Sequence, residues 1–326
     1  MWGTATERAD QGTIMAIKLA FSTVACPQWT TQEVVERARE MGYAGVELRT
    51  FGPGGGELAS DPALADPAKM RDLFVQGEIE PVCLSTSVAL DHRDSPARSS
   101  ARQQVLDSLA LASAIGCSAV RVFGYEVAPG VNRRAVIQNI VDQAALLVEA
   151  ASDLGVQILF ENAGSFNHAK EWWWLFNLLD HPLMGMCWNV ANAAAAGEPP
   201  SVSVPCLNSR IRLAKVKDTR LGEGSGFVPL GEGTVGVEQF VKRLAGIGYD
   251  GFISVEWDRM WLPSLAPPEE YLPDAIGRIQ VWLDQIADTG KKGFSDAAPM
   301  NKELKKLLEE AKKKAESESK PEKSTV

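Results

Sequence analysis

Short apolar, β-branched runs alternate along this chain with longer stretches of helical periodicity, the pattern of a parallel sheet whose strands are joined by crossover helices. The runs predict eight strands, at residues 17–22, 44–49, 80–85, 119–123, 156–161, 184–189, 212–217 and 252–256. Helical patterns fall between them at 31–41, 99–115, 133–154 and 237–247, and Thr31 is placed to cap the first. The dipeptides Met41-Gly42, Ile115-Gly116, Leu154-Gly155 and Ile247-Gly248 each close a helix before a strand, since glycine tolerates the left-handed turn of a C-terminal cap. This helix–glycine–strand punctuation recurs as MGYAGVEL and IGYDGFISVE, the echo of a βα repeat. The expected class is α/β, a (β/α)8 TIM barrel, with an open doubly wound sheet as the alternative. No glycine-rich phosphate fingerprint follows the first strand. The GPGGG run at 52–56 lacks the Lys-Ser/Thr of a phosphate loop.

Polar residues punctuate the later strands. The runs at 156–161, 183–189, 211–218 and 252–256 carry Glu161, Asn189, Lys215 and Glu256 at or near their C-terminal ends. A parallel β/α barrel gathers its chemistry at that end. Two carboxylates facing one lysine there mark either an active site or the remains of one.

Composition changes this picture mainly by exclusion. The 326 residues are 45% hydrophobic and 23% charged, which suits one barrel of roughly 250 residues with terminal extensions better than two domains. The expected organisation is a flexible N-terminal extension over 1–16, the barrel over 17–290 and a charged, partly helical or disordered tail over 291–326. That tail is dense in Lys and Glu. It supports i,i+4 charge pairs but buries too little apolar surface to add a core. A formal charge of −9 argues against a nucleic-acid partner. Five scattered cysteines without CxxC spacing fit a reducing, cytoplasmic setting. The longest apolar stretch is too short for a membrane span, and the first residues lack the basic and apolar regions of a secretory signal.

Five segments carry a family resemblance: GYAGVELR (42–49), ILFEN (158–162), VKD (216–218), PLGEGTV (229–235) and GYDGFISVE (248–256). Together, over about residues 17–290, they resemble the xylose-isomerase-like barrel superfamily of sugar isomerases and epimerases, inosose dehydratases and family 2 AP endonucleases. The resemblance implies a divalent metal held by Glu, Asp, His and Glu from the fifth to eighth strands, with the two glutamates moving protons beside a bound sugar. By position those glutamates are Glu161 and Glu256. The Asp falls on Asn189, a downstream His on Asn192 and the remaining metal His on Lys215. Asn offers a neutral carbonyl where hard divalent ions prefer carboxylates, and a protonated lysine repels a dication. Glu161 and Glu256 would nonetheless repel each other in a dry barrel mouth. Lys215 is therefore expected to stand in for the metal and bridge them.

Other residues join as candidates. Glu47 and Arg49 end the second strand, as mouth lining or as an ordinary salt bridge. His92 follows the third strand as a substrate contact or a surface residue. Asp218 and Arg220 follow the seventh, where Arg220 resembles a substrate-contacting arginine of some relatives. Trp257 and Trp261 follow the last strand and are expected to wall the pocket, whereas Trp172, Trp173 and Trp174 are read as packing. The expected function is isomerisation, epimerisation or dehydration of a sugar, keto-sugar or cyclitol by proton abstraction next to a carbonyl. Glu161, Lys215 and Glu256 are the catalytic set, and Asn189 and Asn192 orient hydroxyls. No cofactor is expected. The alternatives are a retired barrel that binds sugar or acts as a scaffold, and a metal-dependent epimerase in which Mn, Mg, Co or Zn is held with Asn189 and His92. The expected partner is a small carbohydrate, without nucleic acid or membrane. A homo-oligomer and a protein partner for the tail are left open.

Overall fold

The computed structural model describes residues 17–52, 58–91, 94–222 and 226–291, with side chains of the last helix described to residue 286. The expected extension over 1–16, the tail beyond 291 and the His92 candidate lie outside the described residues. The chain divides into two compact units, 1–283 and 284–326, and the barrel lies in the first.

The strands are β1 (Lys18–Ser22), β2 (Gly45–Arg49), β3 (Glu80–Ala89), β4 (Ala119–Phe123), β5 (Gln157–Glu161), β6 (Met184–Asn189), β7 (Ile211–Val216), β8 (Asp218–Arg220), β9 (Gly226–Val228) and β10 (Phe252–Val255). Eight of them close a barrel in the order β1-β10-β7-β6-β5-β4-β3-β2, with parallel pairing at each seam. The expected (β/α)8 barrel is the fold. The remaining two, β8 and β9, pair antiparallel as a small hairpin on the strand that carries Lys215, an element the apolar runs did not announce.

The helices are α1 (Thr31–Met41), α2 (Pro67–Gly77), α3 (Ser95–Ile115), α4 (Arg133–Ala145), α5 (Val148–Leu154), α6 (Ala169–Leu178), α7 (Val190–Ala195), α8 (Pro200–Leu207), α9 (Val237–Gly246) and α10 (Pro268–Lys291). Thr30, not Thr31, caps α1. Its hydroxyl accepts from the Glu33 backbone N–H, and the Glu33 carboxylate accepts from the Thr30 N–H; the box needs Glu at the third helical position, which selects Thr30. Gly42, Gly116 and Gly155 close α1, α3 and α5 in the left-handed conformation, as expected. The helix expected over 133–154 is two. The break turns Leu147 into the core and leaves Leu146 outside.

Strand side chains alternate between two faces, and this alternation builds the site. Outward positions pack on the helices in one large core that includes Phe21, Phe160, Trp172, Trp188 and Phe240. Inward positions begin with an apolar floor of Ala20, Val82, Cys83, Ala119, Leu159, Cys187 and Leu213. Two residues further along the strands the lining becomes polar, with Ser22, Glu47, Ser85, Arg121, Glu161, Asn189, Lys215 and Ser254 all buried. Gly45 belongs to the floor, where a Cβ would run into Val82 and Phe252.

Candidate active site

Lys215 comes from the next-to-last position of β7 and is 3% exposed. Its Nζ lies 3.0 Å from Glu47 Oε1, 3.4 Å from Glu161 Oε2 and in direct contact with Glu256 Oε2. One ammonium thus holds three carboxylates from β2, β5 and the end of β10. Burial opposes its charge, but Glu161, Glu256 and Glu47 together hold its pKa well above that of an ordinary lysine.

Each carboxylate is fixed by further donors. Glu47 is fully buried beneath Lys215 and accepts from Ser85 Oγ at 2.6 Å and Ser254 Oγ at 2.7 Å. Burial raises its pKa, but the Lys215 and Arg121 charges and the Ser85 hydrogen bond together outweigh this and the net direction is down. Glu161, the last residue of β5, accepts from Asn189 Nδ2 at 3.0 Å and lies 3.1 Å from Arg121 Nε. Glu256 follows β10, and its N–H extends the ladder to Val216 O at 2.8 Å. Lys215 and Lys217 overcome the cost of its burial and hold its carboxyl well below the usual range. Lys217 sits 2.5 Å from Glu256 Oε1 and 2.8 Å from Asp258 Oδ2. Burial and the nearby Glu256 charge push Asp258 up to about 6.

Asn189 ends β6 and caps α7. Its Oδ1 accepts from the Ala191 and Asn192 N–H groups while its Nδ2 orients Glu161. Asn192 donates its side-chain amide to Asn162 O at 2.8 Å. Asn162 in turn exchanges hydrogen bonds with the Asn189 backbone. The pair clasps the ends of β5 and β6.

The cavity over this cluster measures about 180 Å³. Arg49, Arg121, Glu161, Lys215 and Glu256 line it, with Phe123 and Trp261 among its walls. Trp261 stands half exposed at the rim. The expectation for Trp257 fails: it is buried, stacks on Tyr271 at 3.7 Å between ring centres and donates to Ala266 O. It sits between inward-facing Glu256 and Asp258, so alternation turns it outward. Asp218 is also spent on structure. Its carboxylate accepts from the backbone N–H groups of Thr219, Gly231, Gly233 and Val235 and so braces the loop of the PLGEG motif. Arg220 is exposed on the hairpin.

Sequence reasoning missed Arg121, Lys217 and Asp258. The signal was present in each case. Arg121 interrupts the apolar run AVRVF at an inward position. Lys217 and Asp258 each lie two residues past a recognised member, hence on the same face.

A closed parallel barrel with this ionic cluster at the C-terminal mouth is a TIM barrel. The chain belongs to the xylose isomerase-like TIM barrel family, whose model matches residues 35–286. No curated protein matches it. Among solved structures it is similar to an L-ribulose 3-epimerase, with a TM-score of 0.70 at 14% identity, covering 87% of this chain and 100% of that one. It is also similar to the probable 3-DHS dehydratase AsbF of Bacillus anthracis, with a TM-score of 0.66 at 17% identity over 81% and 99% of the two chains. The IolI protein, solved with a zinc atom, gives a TM-score of 0.65 at 18% identity over 86% and 100%. At these identities the likeness is one of fold.

The residues present do not fit a divalent metal at the position the family implies. The Lys215 ammonium stands where the carboxylates converge, and the Asn189 oxygen is turned to the start of α7. Among the described residues, no group of three or more His, Cys, Asp or Glu is arranged to hold an ion.

Proposed function

We propose that this barrel is an enzyme acting on a sugar, keto-sugar or cyclitol by removing a proton next to a carbonyl, with isomerisation, epimerisation or dehydration as the outcome. The observation that carries this reading is the buried Lys215 ammonium between Glu161 and Glu256 in the wall of a cavity at the barrel mouth. Glu161 and Glu256 flank the substrate: one carboxylate removes the proton next to the carbonyl, and either the same group returns it or the other, in its protonated form, delivers a proton from the opposite side. The electron pair left on carbon moves to the carbonyl oxygen, where Lys215 stabilises the enolate charge. A pre-placed charge in a water-poor site is effective because it needs no reorganisation. Asn189 holds Glu161 in position, and proton transfer of this kind contributes about 10²–10⁴-fold in rate.

The test is solvent deuterium exchange at the carbon next to the carbonyl of a panel of ketoses and keto-cyclitols, followed by NMR on chelator-treated protein. Exchange is expected without added metal. It should fall by about 10²-fold or more in Glu161→Gln. Exchange that appears only after Mn, Mg, Co or Zn is supplied would show that Lys215 does not do the metal's work.

One observation favours a second reading, a retired barrel that binds a sugar without turning it over. Each carboxylate on Lys215 already has a cation as partner, and Glu256 is clamped by two ammonium groups. Saturable binding of a ketose with no exchange in any panel member supports that reading over the first.

A further inference from the structure

Two guanidinium groups in the mouth have no use in the chemistry above. Arg49 ends β2, is 7% exposed and lines the cavity. Its Nη1 donates to Thr50 O at 2.8 Å and Ser85 O at 2.6 Å, its Nη2 donates to Ser87 Oγ at 2.5 Å, and its plane covers the Phe51 ring at 4.2 Å. Every one of these acceptors is neutral. Among the described residues no carboxylate lies within ion-pair distance of it, an unusual condition for a buried, permanent cation.

Arg121 lines the same cavity from β4 and is 4% exposed. Its Nε lies close to Glu161 but is not aligned on it, and its Nη1 has no acceptor at all. Its guanidinium covers the Phe123 ring at 4.2 Å. The two arginines feel each other: burial and the Arg121 charge bring Arg49 down to about 10.

Their placement divides the mouth. Arg49 and Arg121 come from β2 and β4, which flank β3 on one arc of the barrel. Lys215, Glu161 and Glu256 come from the arc of β5, β7 and β10. Within the cavity lining, one arc thus presents two guanidinium groups, Arg49 with only neutral acceptors and Arg121 with an open Nη1 donor beside its Glu161 partner, and the other presents the proton-moving carboxylates.

We propose that the ligand of this mouth carries a carboxylate, seated on the arc of Arg49 and Arg121, with its hydroxyls turned toward Glu161, Lys215 and Glu256. Guanidinium groups bind carboxylates through paired, charge-assisted hydrogen bonds, which the Arg121 Nη1 still has to give. The cavity holds about 180 Å³, the liquid volume of about six waters, which suits one acidic monosaccharide or cyclitol and not a disaccharide. This inference rests on the mouth being a ligand site, as under the proposed function, but not on turnover.

The experiment compares matched acids and neutral polyols by calorimetry on the full chain: quinate against myo-inositol, gluconate against glucitol, glycerate against glycerol. Wild-type protein is expected to bind at least one acid about tenfold or more tightly than its neutral partner. The quinate and gluconate arms separate a cyclic acid from an open-chain one. The acid-to-neutral affinity ratio within each pair should fall toward one in Arg49→Gln and in Arg121→Gln, with circular dichroism verifying that each variant folds. Equal affinities within every pair, no binding of any acid, or a preference that survives both substitutions would overturn the proposal. The wild-type comparison stands even if a variant fails to fold. An acid preference without deuterium exchange upholds this inference while sinking the enzymatic reading.

Discussion

Lys215 decides the electrostatics of the lumen. A buried ammonium alone would be pushed toward its neutral form, yet three carboxylates within reach reverse that and hold it charged. Removing one partner of a buried ionic cluster strands the others, at a cost of about 3–5 kcal/mol. Lys215→Met is therefore expected to lower stability by that order, read as a fall in the denaturant midpoint. Lys217→Met should cost less, because Glu256 keeps Lys215 and Lys217 is the more exposed of the two. If Lys215→Met unfolds at the wild-type midpoint, the cluster does not hold the fold as described. At this scale the sequence was informative about identity and less so about direction. Glu161, Lys215 and Glu256 announced themselves as charges ending apolar runs. Glu47 left two roles open because the identity of its partner depends on which strand lies across the lumen, which no local pattern states. Trp257 misled because it follows a catalytic-looking glutamate, whereas the alternation that continues past the end of β10 assigns it to the outer core.

The elements position these side chains through loops as much as through strands. Asp218 opens β8 two residues past the end of β7 and collects four backbone N–H groups, three of them from the PLGEGTV segment. The turn folds against that carboxylate so closely that a Cβ on Gly233 would overlap Asp218 Oδ1. Gly233→Ala should therefore break the brace. The expected loss is about 2–3 kcal/mol, from hydrogen bonds to a charged acceptor and the overlap itself, with the amides of Gly231, Gly233 and Val235 becoming fast in hydrogen exchange. Slow exchange at those amides in a stable Gly233→Ala protein would show that the loop does not depend on Asp218. The eight barrel strands were legible because each apolar run is short, bounded and followed by a helical period. The β8–β9 hairpin was not, since its strands are three residues each and what orders them is the Asp218 brace, a long-range contact. The split between α4 and α5 escaped for a similar reason: the helical period continues through 133–154, and only the choice between Leu146 and Leu147 for the core breaks it.

Across the whole molecule these buried charges set how stability depends on pH, and the signs differ from group to group. Glu47 and Glu256 have folded pKa values below the ordinary 4.5. Their contribution is fully present above that value and is lost as pH falls through the folded values. Lys215 and Lys217 are shifted above 10.5, so theirs is complete below that and lost only as pH rises through the folded values. Asp258 runs the other way. Its carboxyl is raised from 3.8 to about 6, so the folded state binds more protons than the unfolded chain within that window, and stability falls as pH climbs through it. The magnitude is on the order of 2–3 kcal/mol, carried by burial and the Glu256 charge against the pull of Lys217. The wild-type profile should therefore rise steeply out of acid as the glutamates ionise, dip between pH 3.8 and about 6, and then run level toward the lysine limit. Asp258→Asn removes the dip because the amide has no proton to lose, while Lys217 keeps Glu256 as its partner. Urea midpoints of the two proteins across that window measure the effect directly, the variant gaining on wild type as pH rises. Parallel curves through the window would mean that Asp258 is ionised at its ordinary pH and that the Lys217 ion pair, not burial, governs it.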